Sequence, residues 1–142
     1  MYSILLVTHG DASRALLESM KLIATQKVDI YPFCVYQETK IEELTEKIVK
    51  TVDSIIAAGN EVICLTDITQ GTPFNVILSL IRSKPLILIS GVNLEVILHL
   101  NASCSLNANE AAKAAVEASK PAMYDLDILK ELIANGNNNC QS

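Results

Sequence analysis

The sequence predicts a doubly wound α/β fold, a three-layer sandwich around a mainly parallel sheet, from three observations. Short runs rich in Val, Ile and Leu alternate with longer segments of helical period. Apolar residues make up 50% of the 142 residues while aromatics make up only 4%, a supply suited to aliphatic strands covered by helices. The strand-like runs are apolar on both faces, as strands of a parallel sheet covered on two sides must be. Alternating strands and helices wind by right-handed crossovers.

"SILLVT" (Ser3 to Thr8) is the first strand and a glycine follows soon after it. "ASRALLESMKLIATQ" predicts the first helix, with Ala15, Leu16, Ser19, Met20, Leu22 and Ile23 as its apolar stripe and Asp11 or Ser13 as cap. "VDIYPFCVY" is the second strand, and Pro32 removes one ladder donor, which places it at a sheet edge. "KIEELTEKIVKTVDSIIAAG" is an amphipathic helix with Ile41, Leu44, Ile48, Val52, Ile55 and Ile56 on one face and Gly59 as its stop.

"EVICLTD" is the third strand and "QGTP" a sharp loop. "PFNVILSLIRS" is a helix, "PLILISGV" the fourth strand, "NLEVILHLNA" and "NANEAAKAAVEAS" two further helices. "PAMYDLDI" is read as a short last strand, and "NGNNNCQS" as a frayed tail with nothing to bury. With the second strand at an edge, the sheet order is 2-1-3-4. The chain length supports a single domain, taken as residues 1–128, followed by a C-terminal segment, 129–142.

Composition excludes several functions. The formal net charge is -5 and the two arginines, Arg14 and Arg82, are far apart, so no basic face fits a nucleic-acid backbone. Cys34, Cys64, Cys104 and Cys140 form no CxxC pair and no Cys/His cluster at metal spacing, and Cys34 and Cys64 fall in apolar runs as buried free thiols. These thiols, together with an N-terminus that has no basic leader, point to a cytoplasmic protein. No apolar run approaches the roughly 20 residues that span a bilayer. No GxxxxGK[ST] or GxGxxG occurs. "THG" is like the "RHG" of histidine phosphatases, but Thr8 stands where a phosphate-clamping arginine would be needed. Cys34 likewise lacks the arginine of a cysteine phosphatase loop, having Lys40 six residues on.

Ligands of open parallel sheets bind beyond the carboxyl ends of the strands, where the winding reverses. In the order 2-1-3-4 that point lies between strands one and three, and its rim residues are His9 and Asp67. A nucleophilic histidine needs one ring nitrogen bare and the other held by a carboxylate that fixes the tautomer, and Asp67 is placed to do this. In "DITQGTPFN", Thr72 is a possible N-cap, Pro73 suits the first helical position and Gly71 permits close backbone approach. Amides from Gly71 to Asn75, including that of Phe74, then make an anion site at a helix N-terminus. Gly10 to Ser13 offers a second. Taken singly, each residue has a plainer role: His9 and Asp67 in turns, Thr72-Pro73 as a helix start. Their convergence on one switch point favours chemistry. His99, within "VILHL", has no such support and reads as a helix-face residue.

"VTHG" after the first strand, "DITQGTPFN" after the third and "ISGVNLEVIL" after the fourth together resemble the IIA component of the mannose/fructose/sorbose family of the bacterial phosphoenolpyruvate-dependent sugar phosphotransferase system. The resemblance runs from about residue 2 to residue 101 and thins in the alanine-rich helix and tail. It implies that His9 accepts a phosphoryl group from the phosphocarrier protein HPr and passes it to a separate IIB component, which serves the membrane components IIC and IID. It further implies Asp67 as the partner of His9, Thr72 as the hydroxyl beside it, no cofactor, and a homodimer exchanging a fifth strand, placed at "PAMYDL". Where family members often carry a glycine-containing turn after the second strand, this chain has "YQETKIEEL". The alternatives are the related phosphotransfer subunit of dihydroxyacetone kinase and a regulatory module that senses phosphorylation without passing the group on.

Overall fold

Residues 1–120 and 126–139 are described by the computed structural model. Four strands, β1 (Tyr2–His9), β2 (Ile30–Val35), β3 (Glu61–Thr66) and β4 (Leu86–Ser90), form one sheet in the order β2-β1-β3-β4. All three pairings are parallel. The expected order is therefore the observed one, with β2 and its Pro32 at one edge. Helices α1 (Ala12–Ile23), α2 (Ile41–Ala57), α3 (Thr72–Ile81), α4 (Leu94–Ala102) and α5 (Ala108–Ser119) connect or cover the strands, and α6 (Leu126–Asn139) follows.

The sheet separates two cores because side chains alternate across a strand. Tyr2, Ile4 and Leu6 of β1 and Ile63 and Leu65 of β3 pack with α1, α4 and α5. Leu5 and Val7 of β1 and Val62 and Cys64 of β3 pack with α2 and α3. His9 continues the odd-numbered series, so the period of two turns it to the α2/α3 side, where β1 runs out of sheet to cover it.

The stripes differ from expectation at helix ends. On α1 the buried positions are Ser13, Leu17 and Met20, whereas Leu22 and Ile23 are exposed. Met20 and Leu22 lie roughly 200° apart around a helix, so both cannot face the sheet. On α2, Leu44, Ile48, Val52 and Ile55 are buried, but Ile41 in its first turn is exposed. Cys64 is buried as expected, while Cys34 is only half-buried because β2 is an edge.

Two caps also depart from the reading. Asp11 stands at the N-cap of α1 without its side chain capping; instead Thr8 Oγ1, from the end of β1, accepts from the Ser13 amide at 2.7 Å. Gly71, not Thr72, occupies the N-cap of α3, and Thr72 is the first helical residue. The expected last strand "PAMYDLDI" falls on 121–125, outside the described residues, and its final residues Leu126 to Ile128 open α6. Residues 135–139, expected as tail, belong to that helix. Among the described residues, no helix is long and apolar enough to cross a membrane.

One polar side chain joins the two ends of the α1 layer. Asn101, buried on α4, accepts from the Lys27 amide at 2.7 Å and donates to the Thr25 carbonyl at 2.9 Å. Both bonds satisfy the backbone of the α1–β2 connection, which carries no secondary structure of its own. Asn101→Ala leaves those groups without partners and is expected to lower stability by about 2 kcal/mol. The measurement is the urea midpoint at constant slope, and an unchanged midpoint contradicts this role.

Candidate active site at the end of the first strand

His9 ends β1 with Val35 of β2 on one side, and Asp67 directly follows Thr66, the end of β3, on the other. The parallel register thus places an imidazole and a carboxylate side by side across 58 positions of sequence. Asp67 Oδ2 lies 2.8 Å from His9 Nδ1 and accepts from the His9 amide at 2.9 Å. Asp67 Oδ1 accepts from the Ile68 amide at 3.0 Å.

Partial burial pushes the Asp67 carboxyl up, but the hydrogen bonds from the His9 amide, the His9 ring and the Ile68 amide, with the attraction of the ring, hold it below its ordinary value. Asp67 is therefore ionised at neutral pH and can only accept. Nδ1 must then carry the hydrogen, and in neutral His9 the lone pair is left on Nε2. The ring is about half exposed, so that lone pair can be reached.

The loop after β3 sets the other wall. Gln70 adopts φ 68, a left-handed conformation that costs a non-glycine residue roughly 1 kcal/mol or more. It delivers Gly71 against the imidazole. A Cβ on Gly71 would lie 2.7 Å from His9 Cε1 and 3.3 Å from Nε2, so the glycine is required by close approach. Thr69 Oγ1 and Ser90 Oγ, 2.9 Å apart, tie this loop to the end of β4.

Gly71 is the N-cap of α3, and no side chain caps that helix. Pro73 has no N–H, and the Asn75 amide bonds the Gly71 carbonyl at 2.9 Å. The amides of Thr72 and Phe74 remain for an anion beside His9. Thr72 lines the same cleft as His9 and Gly10, whereas Asn75 lines the adjoining cleft between α2 and α3. At the first turn, Gly10 (φ 55) makes the bend out of β1, but its amide is committed to the Val35 carbonyl and that of Ser13 to Thr8. Gly10 thus shapes the cleft without offering its N–H. Among the described residues no group of three His, Cys, Asp or Glu side chains is arranged to hold a metal ion. His99 sits on the surface of α4, 3.6 Å from Glu95, away from this site.

Several side chains at the cleft escaped the sequence reading. Tyr36, Gln37, Thr39 and Ile41 line it with His9. The Tyr36 phenol donates to Asp11; chiefly through that bond, the phenol is pushed up to about 12. The available signal was positional, since Tyr36 immediately follows β2, and strands of a parallel sheet all end at the same edge.

Fold and site define a class: doubly wound α/β proteins that present one carboxylate-tethered histidine at the topological switch point. Residues 3–119 match the family model EIIA-man, PTS system fructose IIA component, and the chain belongs to that family, the IIA components of the sugar phosphotransferase system. Comparison with curated proteins gives no match. Among solved structures, the chain is similar to phosphotransferase system component EIIA from Streptococcus agalactiae, at 22% identity and TM-score 0.79, covering 89% of this chain and 98% of that one. The mannose/sorbose specific IIA subunit from Enterococcus faecalis aligns at 21% identity and TM-score 0.76, covering 88% and 94%. A IIA protein associated with the fucose utilization operon from Streptococcus pneumoniae aligns at 23% identity and TM-score 0.72, covering 89% and 97%. These structures share the fold.

Two outcomes follow from this geometry. The folded Asp67 carboxyl titrates below its ordinary value of 3.8, so its contribution to stability is present above that pH and is lost as pH falls through the lower folded value. Asp67→Asn should therefore lose less stability than the parent between about pH 5 and pH 2 in urea titrations; parallel curves contradict the linkage. Gly71→Ala should turn the ring away from Asp67, seen as loss of the single Nδ1–H tautomer in nitrogen NMR of the imidazole, and retention of that tautomer contradicts the close-approach argument.

Proposed function

We propose that the chain carries phosphoryl groups on His9, accepting them from phospho-HPr and passing them to a separate IIB component that serves the membrane components IIC and IID. The observation that carries the reading is the pairing of His9 Nδ1 with Asp67, which leaves Nε2 as the one nucleophilic nitrogen in the cleft. In the forward step the Nε2 lone pair forms a new P–N bond while the donor's P–N bond breaks, its electron pair returning to the donor imidazole. The positive charge that develops on the His9 ring is offset by the Asp67 carboxylate. The Thr72 hydroxyl and the amides of Thr72 and Phe74 receive the phosphoryl oxygens, with Gly71 giving the room and Gly10 completing the cleft wall, while Asn75 lines the adjoining cleft.

Hydrogen bonds from neutral groups suit a carrier, since a group held by a bidentate arginine would be slow to leave. The step needs no metal, nucleotide or organic cofactor, because the phosphoryl group arrives already activated as a phosphoramidate. Residues 1–128 form the transfer domain in this reading, which works in the cytoplasm. A homodimer belongs to it as well: β4 is an edge strand whose residues are all only half-buried, a surface that a further strand can cover.

Phosphoenolpyruvate with enzyme I and HPr should label the protein with an acid-labile, base-stable adduct that a IIB component discharges. His9→Ala should abolish labelling. Asp67→Ala should slow it by roughly 10- to 100-fold with the fold intact, as loss of a group that orients a histidine does. Full labelling of His9→Ala overturns the assignment, and stable label that no IIB discharges favours a sensing module instead.

A further inference from the structure

Thr66 ends β3 with its side chain fully buried, yet its Oγ1 finds no hydrogen-bond partner among the described residues. An interior hydroxyl left unpaired is costly, and proteins keep few of them. Val62 and Cys64 of the same strand point into the α2/α3 core, so the period of two sends Thr66 to that side, which is also the side of His9. On the neighbouring strand β4, Ser90 stands opposite Thr66 in register. Leu86 and Leu88 of β4 pack against the same core, so the Ser90 hydroxyl shares that face. Paired strands lie about 4.8 Å apart, a gap that a turn about the Ser90 χ1 bridges.

Ser90 is committed elsewhere. Its Oγ lies 2.9 Å from Thr69 Oγ1 in the loop after β3. The next residue, Gln70, holds φ 68, a conformation that costs a non-glycine residue free energy, and Gly71 after it is pressed against the His9 ring. The same loop delivers the unclaimed amides of α3. One hydrogen bond between exposed hydroxyls therefore holds a strained turn in place, while a buried hydroxyl on the adjacent strand goes without a partner. Moving Ser90 from Thr69 to Thr66 exchanges an exposed bond for a buried one and frees Gln70 to relax. Each of these effects is of the size of a single hydrogen bond, so the two arrangements lie close in free energy.

We propose that Ser90 is a positioning residue for the His9 site with two alternative partners. Bonded to Thr69, it holds Gly71 and the α3 amides at the imidazole; bonded to Thr66, it lets them withdraw. That these amides are the ones a phosphoryl group meets rests on the phosphotransfer reading above.

The two threonines then act in opposite directions through one serine, a pattern that a purely structural role of either does not produce. Relaxation dispersion at the backbone nitrogens of Gln70, Gly71 and Thr72, and at the His9 Cε1–H, is expected to show exchange on the μs–ms scale with a minor state of about 1–10%. Thr69→Val removes the partner that holds the loop and is expected to shift the equilibrium about fivefold toward that minor state. Thr66→Val removes the competing partner and is expected to shift it about fivefold the other way, with no fall in the urea midpoint. In a Ser90→Ala background both substitutions are expected to lose their effect on the exchange.

Shifts of the same sign, shifts that persist without Ser90, or a loop that shows no exchange in either the parent or Thr69→Val overturn the inference. So does a fall in the urea midpoint of Thr66→Val, which assigns its hydroxyl a bond in the resting state. These measurements use no phosphoryl donor, so a chain that phospho-HPr fails to label overturns the phosphotransfer reading alone, a result distinct from failure of the exchange pattern.

Discussion

The contact between His9 and Asp67 is the interaction on which the rest of the site depends. It exists because β1 and β3 are parallel neighbours in one register, with Val7 opposite Thr66. A shift of one residue would turn His9 to the other face, away from the carboxylate. The same contact selects the nitrogen that is left bare: a carboxylate can only accept, so the hydrogen goes to Nδ1 and the lone pair to Nε2. The orientation of the ring is a consequence of strand pairing.

Around this pair the chain places backbone close to the ring, and among the described residues no lysine or arginine lines the cleft. Gln70 takes a strained conformation so that Gly71 can lie against the imidazole, and α3 begins there with amides unclaimed.

Much of this was legible in the residues. The alternation of aliphatic runs and amphipathic segments gave the class, and Pro32 placed β2 at an edge, from which the order and the His9–Asp67 proximity followed. Local details failed where a tertiary neighbour decided them. Thr8 displaced Asp11 as the partner of the α1 amides because the end of β1 happens to lie beneath that turn. Gly71 displaced Thr72 at the α3 N-cap because the loop had to pass the His9 ring. Ile41, Leu22 and Ile23 read as core because periodicity registers a face and is blind to where the opposing surface ends.

By itself the sequence determined the parallel sheet, its order and the two residues at its switch point, because these follow from period, length and one proline. Only the tertiary structure decided which nitrogen of His9 is bare, which amides of α3 remain free, and which apolar residues face solvent. Those properties depend on distances of a few ångströms between segments far apart in the chain. Hydrogen bonds and van der Waals contacts are set at that scale, and no local pattern encodes it.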